Sequence, residues 1–545
     1  MNPLKTILLV CIGIIFISAQ IGCSQFHATP IRMITSTAEL KPSPAITNTP
    51  GNILTSTPQV IITNEDLPLI DPVTACDPVQ QAFAMRPSSV PDWEKLEIGQ
   101  CYELSLNISD DYATYTGVER FTFLNQYSQT LTDIVFRLYP NARVMYGGKL
   151  IINDVAINNI KLHPVTYLSD GTAVRISLPK PLLPGKSTSI DLNFSGTLPD
   201  INSNSRIYGI FSISHDDGPF LAMANWYPIL ADYKLGSWYA GPVADIGDAV
   251  VSGISLYKVN ITAPKNLILA TTGRQIKSRQ DANEEVYDFV SGPARDFMIV
   301  ASPEFVKKVV RWDDIDIDHY GLPDTESSWN QVIDVINSTF PVYTDRYGEY
   351  PYNEIDIISS PLINASGVEY PGLVLINKEL YIDKSRANYL STIAAHELSH
   401  QWWYGVVGND ALESPWQDEA LATFSALLYF EKYFPKYYLE TIPYYRLLVN
   451  EHEKNYPLDH IADPVLRYED RSQAYERIVY IKGSLFFVEL RKKLGDATFF
   501  KALHTYYIEN AYKSVSPDVL LNSFQASCAC DLTQFYKEWD VSSIP

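Results

Sequence analysis

The chain has 545 residues, and 46% of them are hydrophobic, so it can bury a large core and favours three or four domains. Its formal net charge is −21 at pH 7, and such a chain lacks the basic face that nucleic-acid binding requires. The composition therefore argues against a nucleic-acid partner and is typical of a protein that stays soluble outside a cell.

The first 23 residues are typical of an export signal. Lys5 supplies a positive charge, and residues 7–17 form a largely apolar run that is too short for a comfortable membrane span. Cys23 follows a small residue, as in the lipobox of bacterial lipoproteins, although Gln20 stands where that pattern usually has leucine. We expect Cys23 to be lipidated and to anchor the protein at the extracytoplasmic face of a bacterial membrane; a plain secretory signal is the alternative.

Residues 24–75 have a composition that cannot pack a core. They are rich in Ser, Thr and Pro, most clearly in the run TSTAELKPSPAITNTPGNILTSTPQ. The segment predicts a disordered tether, which would hold a folded body away from a membrane if Cys23 carries a lipid.

Four cysteines remain after the signal. Cys76 and Cys101 flank a short stretch at the start of the folded region and are candidates for a disulfide in an oxidising compartment. Cys528 and Cys530 are separated by one residue and either pair with each other or stay reduced. Neither pair has the spacing of a metal site with nearby histidines.

Residues 76–306 carry the signals of an N-terminal antiparallel β domain. Apolar and polar residues alternate over 120–124 and 189–194, and turn clusters such as 184–186 separate these runs. No helical pattern of convincing length occurs there. We therefore predict a sheet-rich saddle or sandwich domain.

Residues 307–545 change to a mixed pattern of helices and strands, which predicts an α+β domain and, with the preceding region, an α+β multidomain protein. The elements that we expect are a helix over 328–340, strands near 352–358 and within 364–376, and long helices over about 385–404, 415–433 and 475–494.

The strongest chemical signal is the pattern HELSH at 396–400. On a helix, His396 and His400 lie one turn apart and project from one face. With Glu419 they form the ligand set of a catalytic zinc ion, which leaves a fourth position for water. Glu397 stands beside the first ligand, where a carboxylate can take a proton from that water. The pattern predicts one zinc ion per chain together with its nucleophile and general base.

The third ligand, Glu419, strengthens the prediction of a zinc site, because two histidines one turn apart also occur on solvated helix faces. Glu419 lies near the start of a second predicted helix, with Ser414 as the expected N-cap and Pro415 as the first helical residue. A loop near 405–413 joins the two helices. We therefore expect two neighbouring helices to bring the three ligands together.

Four segments, in order, resemble the gluzincin metallopeptidases of the aminopeptidase N and leukotriene hydrolase family. HELSHQWW at 396–403 resembles the zinc motif, and WQDEA at 416–420 resembles the WLNEG segment that holds the third ligand. SGVEYPG at 366–372 resembles the GxMEN exopeptidase loop, with Val for Met and Tyr for Asn. YIKG at 480–483 resembles the YxKG element. The resemblance covers about residues 95–545 and implies a β saddle domain before a thermolysin-like catalytic domain.

The resemblance implies the catalytic roles. His396, His400 and Glu419 bind zinc. Glu397 acts as general base toward the water and then as general acid toward the leaving amine, and Tyr480 donates a hydrogen bond to the tetrahedral oxyanion. These roles agree with the chemistry of amide hydrolysis, which needs an activated water and stabilisation of a developing negative charge.

The resemblance also implies how substrate is held. Glu369 binds the free α-amino group of a peptide, and the backbone at Gly367 and Val368 aligns the peptide as an extra strand. A carboxylate at the closed end of a cleft selects a terminal ammonium group, because an amide in mid-chain has no such charge.

Three features depart from the family pattern. The chain stops at Pro545, where typical members continue into a large C-terminal helical domain, so we expect a more open cleft. No clear counterpart of the family's second amine-binding residue appears, and near 220–226 only Asn225 is polar. Ser472 replaces the Asp that precedes the catalytic Tyr in the leukotriene-processing branch, which argues against epoxide hydrolysis.

The prediction is a zinc-dependent aminopeptidase, exported and lipid-anchored, that removes N-terminal residues from peptides with a free N-terminus. One alternative is a metalloendopeptidase that uses the same zinc in an open cleft. The other is a non-catalytic surface-binding protein that retains the fold, although a binding module has no need of the complete set of ligands, base and tyrosine.

Overall fold

The computed structural model describes residues 71–162, 165–203, 206–216, 218–280 and 283–541. The predicted signal and lipobox and nearly all of the predicted tether lie outside these residues. The described part opens with helix α1 (Pro72–Ala75), so the folded body begins slightly before the predicted tether end at residue 75. Within the described ranges, no helix has the length and apolar character needed to cross a lipid bilayer.

The first half of the molecule is built almost entirely from strands. Its one α-helix between residues 76 and 306, among those described, is the four-residue α2 (Pro78–Gln81). The strands are β1 (Gln100–Ile108), β2 (Thr114–Leu124), β3 (Leu131–Arg137), β4 (Lys149–Ile157), β5 (Ile160–Leu162), β6 (Thr166–Leu168), β7 (Ala173–Leu182), β8 (Ser187–Thr197), β9 (Phe211–Ser214), β10 (Phe220–Met223), β11 (Ile229–Leu230), β12 (Tyr233–Lys234), β13 (Ser237–Trp238), β14 (Ser255–Pro264), β15 (Ile268–Thr271), β16 (Arg274–Gln280), β17 (Glu284–Ala294) and β18 (Ile299–Ser302).

These strands form one large sheet and several smaller ones. The large sheet has the order β16-β17-β14-β1-β2-β8-β4-β5, and the two four-stranded sheets have the orders β15-β18-β10-β9 and β11-β3-β7-β6. The alternation that predicted strands lies within β2 and β8, which are paired and bury alternate side chains. The expectation of a wholly antiparallel domain is corrected at one pair, because β1 and β14 are parallel. The long connection between them makes this parallel pairing possible.

The second half combines a five-stranded sheet with helices. Its elements are β19 (Val306–Trp312), β20 (Ile315–Gly321), α3 (Trp329–Arg346), β21 (Glu354–Ser360), β22 (Gly367–Tyr370), β23 (Leu373–Asn377), α4 (Lys378–Ile382), α5 (Ala387–Ser399), β24 (Val407–Gly408), α6 (Trp416–Tyr433), α7 (Pro435–Asn455), α8 (Ser472–Tyr475), α9 (Gly483–Leu494), α10 (Asp496–Asn510), β25 (Lys513–Ser514), α11 (Pro517–Cys528) and α12 (Thr533–Glu538). The predicted α+β character is confirmed, but the β19–β20 hairpin was not predicted.

The five-stranded sheet has the order β19-β20-β21-β23-β22, so β22 is an edge strand. It pairs antiparallel with β23 on one side. Helix α5 packs against both strands and against α6. From Trp416 to Phe430 every residue of α6 is buried, because this stretch has no continuous polar face. One hydrophobic core runs through both halves of the molecule.

Both candidate cysteine pairs are disulfide-bonded. Cys76–Cys101 links the start of the folded part to β1, with the Cα atoms 5.8 Å apart. Cys528–Cys530 closes a short loop after α11. The domain boundary predicted at residues 306 and 307 stays a prediction, although the sheet of the second half does begin with β19 at Val306.

Candidate active site

Three predicted ligands meet at one point between two helices. His396 lies in the last turn of α5, His400 directly follows that helix, and Glu419 lies in the first turn of α6. The Nε2 atom of His396 lies 3.1 Å from Nε2 of His400 and 3.1 Å from Oε2 of Glu419. The distance from His400 Nε2 to Glu419 Oε2 is 3.4 Å. All three side chains are buried.

This triangle of donor atoms fits a zinc ion. Tetrahedral zinc with bonds of about 2.0–2.1 Å keeps neighbouring ligand atoms about 3.3 Å apart. The other ring nitrogens are held as well: His400 Nδ1 lies 3.0 Å from the carbonyl oxygen of Trp403, and His396 Nδ1 lies 3.4 Å from Oγ1 of Thr423. These contacts turn both Nε2 atoms toward the shared point, as the outer partners of zinc-binding imidazoles do.

The start of the second ligand helix differs from the prediction. Helix α6 begins at Trp416 with Pro415 at the N-cap, and no side chain caps it. Ser414 is therefore not the N-cap, and its carbonyl oxygen instead accepts hydrogen bonds from the side chain of Asn409 and the N–H of Gln417. These contacts hold the loop before α6 without a side-chain cap from the Ser414 hydroxyl.

The predicted general base is packed against an edge strand. Glu397 is buried, and its carboxylate lies within 4.8 Å of the ligand atoms of Glu369 and His400. A Cβ atom built on Gly367 would lie 2.3 Å from Oε1 of Glu397, which shows why this position is glycine. A side chain at position 367 would force the Glu397 carboxylate to move, so the glycine allows strand β22 to pass close to the base.

Gln401 fixes the other end of the same strand. Its side-chain amide donates to the carbonyl oxygen of Tyr370 at 3.0 Å and accepts from the N–H of Gly372 at 2.9 Å. The residue after the second histidine therefore clamps the β22–β23 turn to the end of α5. This clamp sets the position of Glu369, whose Oε1 lies 3.7 Å from Nδ1 of His400.

Tyr480 reaches the three predicted zinc ligands from an irregular helix. The predicted continuous helix over 475–494 is interrupted, because Glu476–Lys482 forms a π-helical segment between α8 and α9. Such segments are common at functional sites. The Tyr480 hydroxyl donates a hydrogen bond to Oε1 of Glu419, and its ring stacks on His396 with the centroids 5.8 Å apart. A Cβ on Gly483 would lie 2.5 Å from Cβ of Ala420, so this glycine allows the two helices to approach.

The structure adds three cleft acids that the sequence did not single out, namely Asp248, Asp296 and Glu476. Asp248 comes from the loop between β13 and β14, and ligand atoms of Asp248, Glu369 and Asp418 lie within 4.8 Å of one another. This loop has no periodic pattern, so only its packing identifies the residue. Asn225 also lines the cleft, but its side-chain oxygen already accepts the Tyr146 hydroxyl at 2.5 Å.

The cleft is strongly acidic. No lysine or arginine lines it within the described ranges, whereas six carboxyl groups do: Asp248, Asp296, Glu369, Glu397, Glu419 and Glu476. Burial raises the pKa of Glu397 to about 8 and that of Asp248 to about 6. Burial also opposes ionisation of Glu419, but hydrogen bonds with both histidines outweigh it and lower the pKa of that carboxyl to about 2. Such crowding of buried acids fits a site that receives positive charge from outside the chain.

Comparison with known proteins shows similarity to peptidases. Residues 331–539 match the Peptidase family M1 domain. The chain is 21% identical over 459 residues to Aminopeptidase 2 of Candida albicans, which covers 80% of this chain and 46% of that protein. It is 23% identical over 232 residues to the mitochondrial Aminopeptidase 2 of Saccharomyces cerevisiae, with coverages of 40% and 24%. The chain thus spans less than half the length of these relatives.

A solved structure shares the fold. The M1 zinc metallopeptidase from Deinococcus radiodurans superposes with a TM-score of 0.58 at 17% identity and covers 82% of this chain and 96% of that one. At this identity the likeness shows a shared fold. The match over residues 331–539 confirms the predicted resemblance of this part of the chain to the aminopeptidase N family, peptidase family M1.

Proposed function

We propose that this protein is a zinc-dependent aminopeptidase that removes N-terminal residues from peptides. The observation that carries the proposal is the meeting of His396, His400 and Glu419 at one point beside Glu397 and Tyr480. The aminopeptidase names of the relatives support it. A site with ligands, base and hydroxyl donor in one cleft has every part that amide hydrolysis requires.

The residues divide the chemistry among them. Zinc, when bound by the three ligands, supplies a Lewis acid that polarises the substrate carbonyl and makes water acidic enough to react near neutral pH. Glu397 takes the proton of the attacking water and passes it to the leaving amine. The Tyr480 hydroxyl, which lies against Glu419, donates to the oxyanion as the carbonyl becomes tetrahedral.

The edge strand orients the peptide. Strand β22 uses one edge to pair with β23, and its half-buried residues Gly367 and Val368 line the cleft with the other. An extended peptide can add to such an edge as a further strand. Glu369, which also lies in β22, then accepts the free α-ammonium group of this peptide with its carboxylate.

The test uses a panel of aminoacyl p-nitroanilides and their N-acetylated forms, each with and without a chelator. We expect hydrolysis of the free-amine reporters, loss of that hydrolysis with the chelator, and its recovery with zinc. Cleavage of the N-acetylated forms at equal rates would instead support the endopeptidase alternative. Zinc binding without hydrolysis of any reporter would support the non-catalytic alternative.

We also propose export and lipid anchoring through Cys23. The support is the charged and apolar N-terminal segment and the small residue before the cysteine. Cells that express the protein are grown with radiolabelled palmitate, and we expect the label on the parent but not on the Cys23→Ser variant. Equal labelling of both proteins, or none on the parent, would contradict lipidation.

A further inference from the structure

The loop after the second histidine holds a tyrosine in an unusual backbone conformation. Tyr404 has a φ of +109°, in the left-handed region that favours glycine. A bulky residue stays in this region only where its surroundings hold it there. The N–H of Tyr404 donates to the carbonyl oxygen of Val407 at 2.8 Å, and the N–H of Gly405 donates to that of His400 at 2.8 Å. A strained residue thus lies four positions after a predicted zinc ligand.

The peptide group before Tyr404 carries the carbonyl that orients this ligand. The carbonyl oxygen of Trp403 lies 3.0 Å from Nδ1 of His400. A carbonyl oxygen only accepts hydrogen bonds, so this contact keeps a proton on Nδ1 and leaves the lone pair of Nε2 for zinc. The φ angle of Tyr404 sets how this peptide group is turned relative to the rest of the residue. The orientation of His400 therefore depends on the conformation of Tyr404.

Two consecutive residues of the first half hold Tyr404 by its backbone and by its side chain. Nε of Arg295 donates to the carbonyl oxygen of Tyr404, and the Tyr404 hydroxyl donates to Oδ2 of Asp296 at 3.0 Å. Both residues are buried and directly follow β17, which belongs to the large sheet. The sheet therefore fixes the two contacts that hold the strained residue.

The guanidinium group of Arg295 is itself held by three further acceptors. Nη1 donates to Oγ of Ser514 at 2.7 Å and to the carbonyl oxygen of Ser252 at 3.2 Å, and Nη2 donates to the carbonyl oxygen of Lys513 at 2.8 Å. A Cβ atom built on Gly408 would lie 2.1 Å from Cζ of Arg295, so the guanidinium group packs directly on this backbone. A planar group with this set of partners presents Nε to Tyr404 in one place.

We propose that Arg295 is a positioning residue for the zinc ligand His400 and acts through the carbonyl oxygen of Tyr404. The inference rests on the proposed function, since it concerns the binding of zinc. It means that the first half of the molecule contributes to the zinc site without supplying a ligand.

The experiment measures the zinc dissociation constant of the parent and of Arg295→Met by competition with a chromophoric chelator. Methionine fills similar space but donates no hydrogen bond. We expect the Kd to rise about tenfold, the lower end of the range for groups that orient a metal ligand. At saturating zinc, KM for the p-nitroanilide that the parent cleaves fastest should change less than about twofold, because Arg295 lies outside the described lining of the cleft.

A milder variant covers the case in which Arg295→Met does not fold. Arg295→Lys keeps the charge but not the planar fork, so the Kd should rise at least about threefold. A zinc Kd within twofold of the parent in either folded variant, or a KM that rises as much as the Kd, would overturn the proposal. Glu369, whose Oε1 lies 3.7 Å from Nδ1 of His400, would then be the group that holds the imidazole.

A second substitution tests whether Arg295 acts through Tyr404. Glycine adopts the conformation of this residue without a steric cost. In a chain that already carries Tyr404→Gly, we therefore expect Arg295→Met to raise the zinc Kd less than about threefold. An equal rise with and without Tyr404→Gly would show that Arg295 does not act through the strained residue.

Arg137→Met is the matched control. Arg137 is also a buried arginine, and its Nη1 donates to the carbonyl oxygen of Gly241 at 2.8 Å, while its guanidinium group lies over the rings of Tyr139 and Tyr239. We expect this variant to lower the melting temperature and to keep the zinc Kd of the parent. A tenfold weaker zinc affinity in this control would contradict a specific role for Arg295.

The outcome also separates this inference from the proposed function. If the parent binds no zinc or does not hydrolyse free-amine reporters, the aminopeptidase proposal itself fails. If the parent does both and Arg295→Met keeps the zinc Kd of the parent, only the role of Arg295 fails.

Discussion

Two buried acidic clusters in the second half of the molecule differ in how their charge is balanced. In the cleft, Glu369, Glu397 and Glu419 surround two histidines, and in the described residues none of these acids pairs with a lysine or arginine. In the sheet, Asp318 and Asp356 stand side by side on β20 and β21, with Glu354 nearby. Ligand atoms of the three sheet acids lie within 4.8 Å of one another, and in the cleft those of Glu369, Glu397 and His400 do the same.

The sheet cluster carries its own cations. Nη1 of Arg274 lies 2.5 Å from Oε2 of Glu354 and 2.9 Å from Oδ2 of Asp316. Lys307 pairs with Asp318 at 2.5 Å. The chain therefore neutralises most of this cluster internally, which is typical of a network that links strands.

The balance of buried charge distinguishes a binding site from a structural network. Buried acids that the chain balances with its own cations have no charge left to offer a ligand. Buried acids without such partners destabilise the empty fold and persist where a cation or an ammonium group arrives from outside. On this criterion the cleft receives charge and the sheet cluster does not.

The largest effect should come from Glu397→Gln in the cleft. Removing the general base should lower kcat about 10³-fold, because proton transfer from water is then uncatalysed. Zinc content, measured by atomic absorption, should equal that of the parent. The matched control is Glu413→Gln, an exposed acid between the two ligand helices, which should keep full activity. A Glu397→Gln enzyme within tenfold of the parent would refute the mechanism.

A smaller effect should follow from Arg274→Met in the sheet. The variant leaves Glu354 and Asp316 without their shared cation, and we expect a loss of about 2 kcal/mol in the free energy of unfolding, with kcat unchanged. Denaturant unfolding at pH 7.5 measures it. Arg279→Met changes an exposed arginine on the same strand and should cost less than about 0.5 kcal/mol. Equal stability of both variants would contradict a structural role for the sheet cluster.

The smallest effect is a pH dependence. Burial raises the pKa of Glu354 from 4.5 to about 7. The folded state therefore holds a proton that the unfolded chain loses, and this residue lowers stability as pH rises from about 4.5 to 7. Between pH 4.5 and 7, the free energy of unfolding of Glu354→Gln should rise by about 1–2 kcal/mol relative to that of the parent. Denaturant unfolding measures it. The exposed Glu326→Gln should follow the parent at every pH, and a Glu354→Gln curve parallel to the parent would exclude the raised pKa.

Sequence patterns predicted the elements whose signals are local. The period of two in 120–124 and 189–194 lies in real strands, and the spacing of the zinc motif matches the end of α5. The predicted cap at Ser414 was wrong because the loop before α6 is satisfied by other contacts. The π-helical segment around Tyr480 was missed because it has the same residue composition as an ordinary helix.

The donor set follows from local sequence patterns, since helix geometry places His396 and His400 one turn apart and a later helix carries Glu419. The resemblance of short motifs to a known family also predicted Glu369 and Tyr480 as site residues, and their roles stay predictions. That Asp248 lies near Glu369 depends on the packing of the folded chain, because a loop of the first half of the molecule reaches the cleft through close packing at Gly247. Contacts between residues so distant in the chain leave no periodic trace in the sequence, so they become visible only after folding.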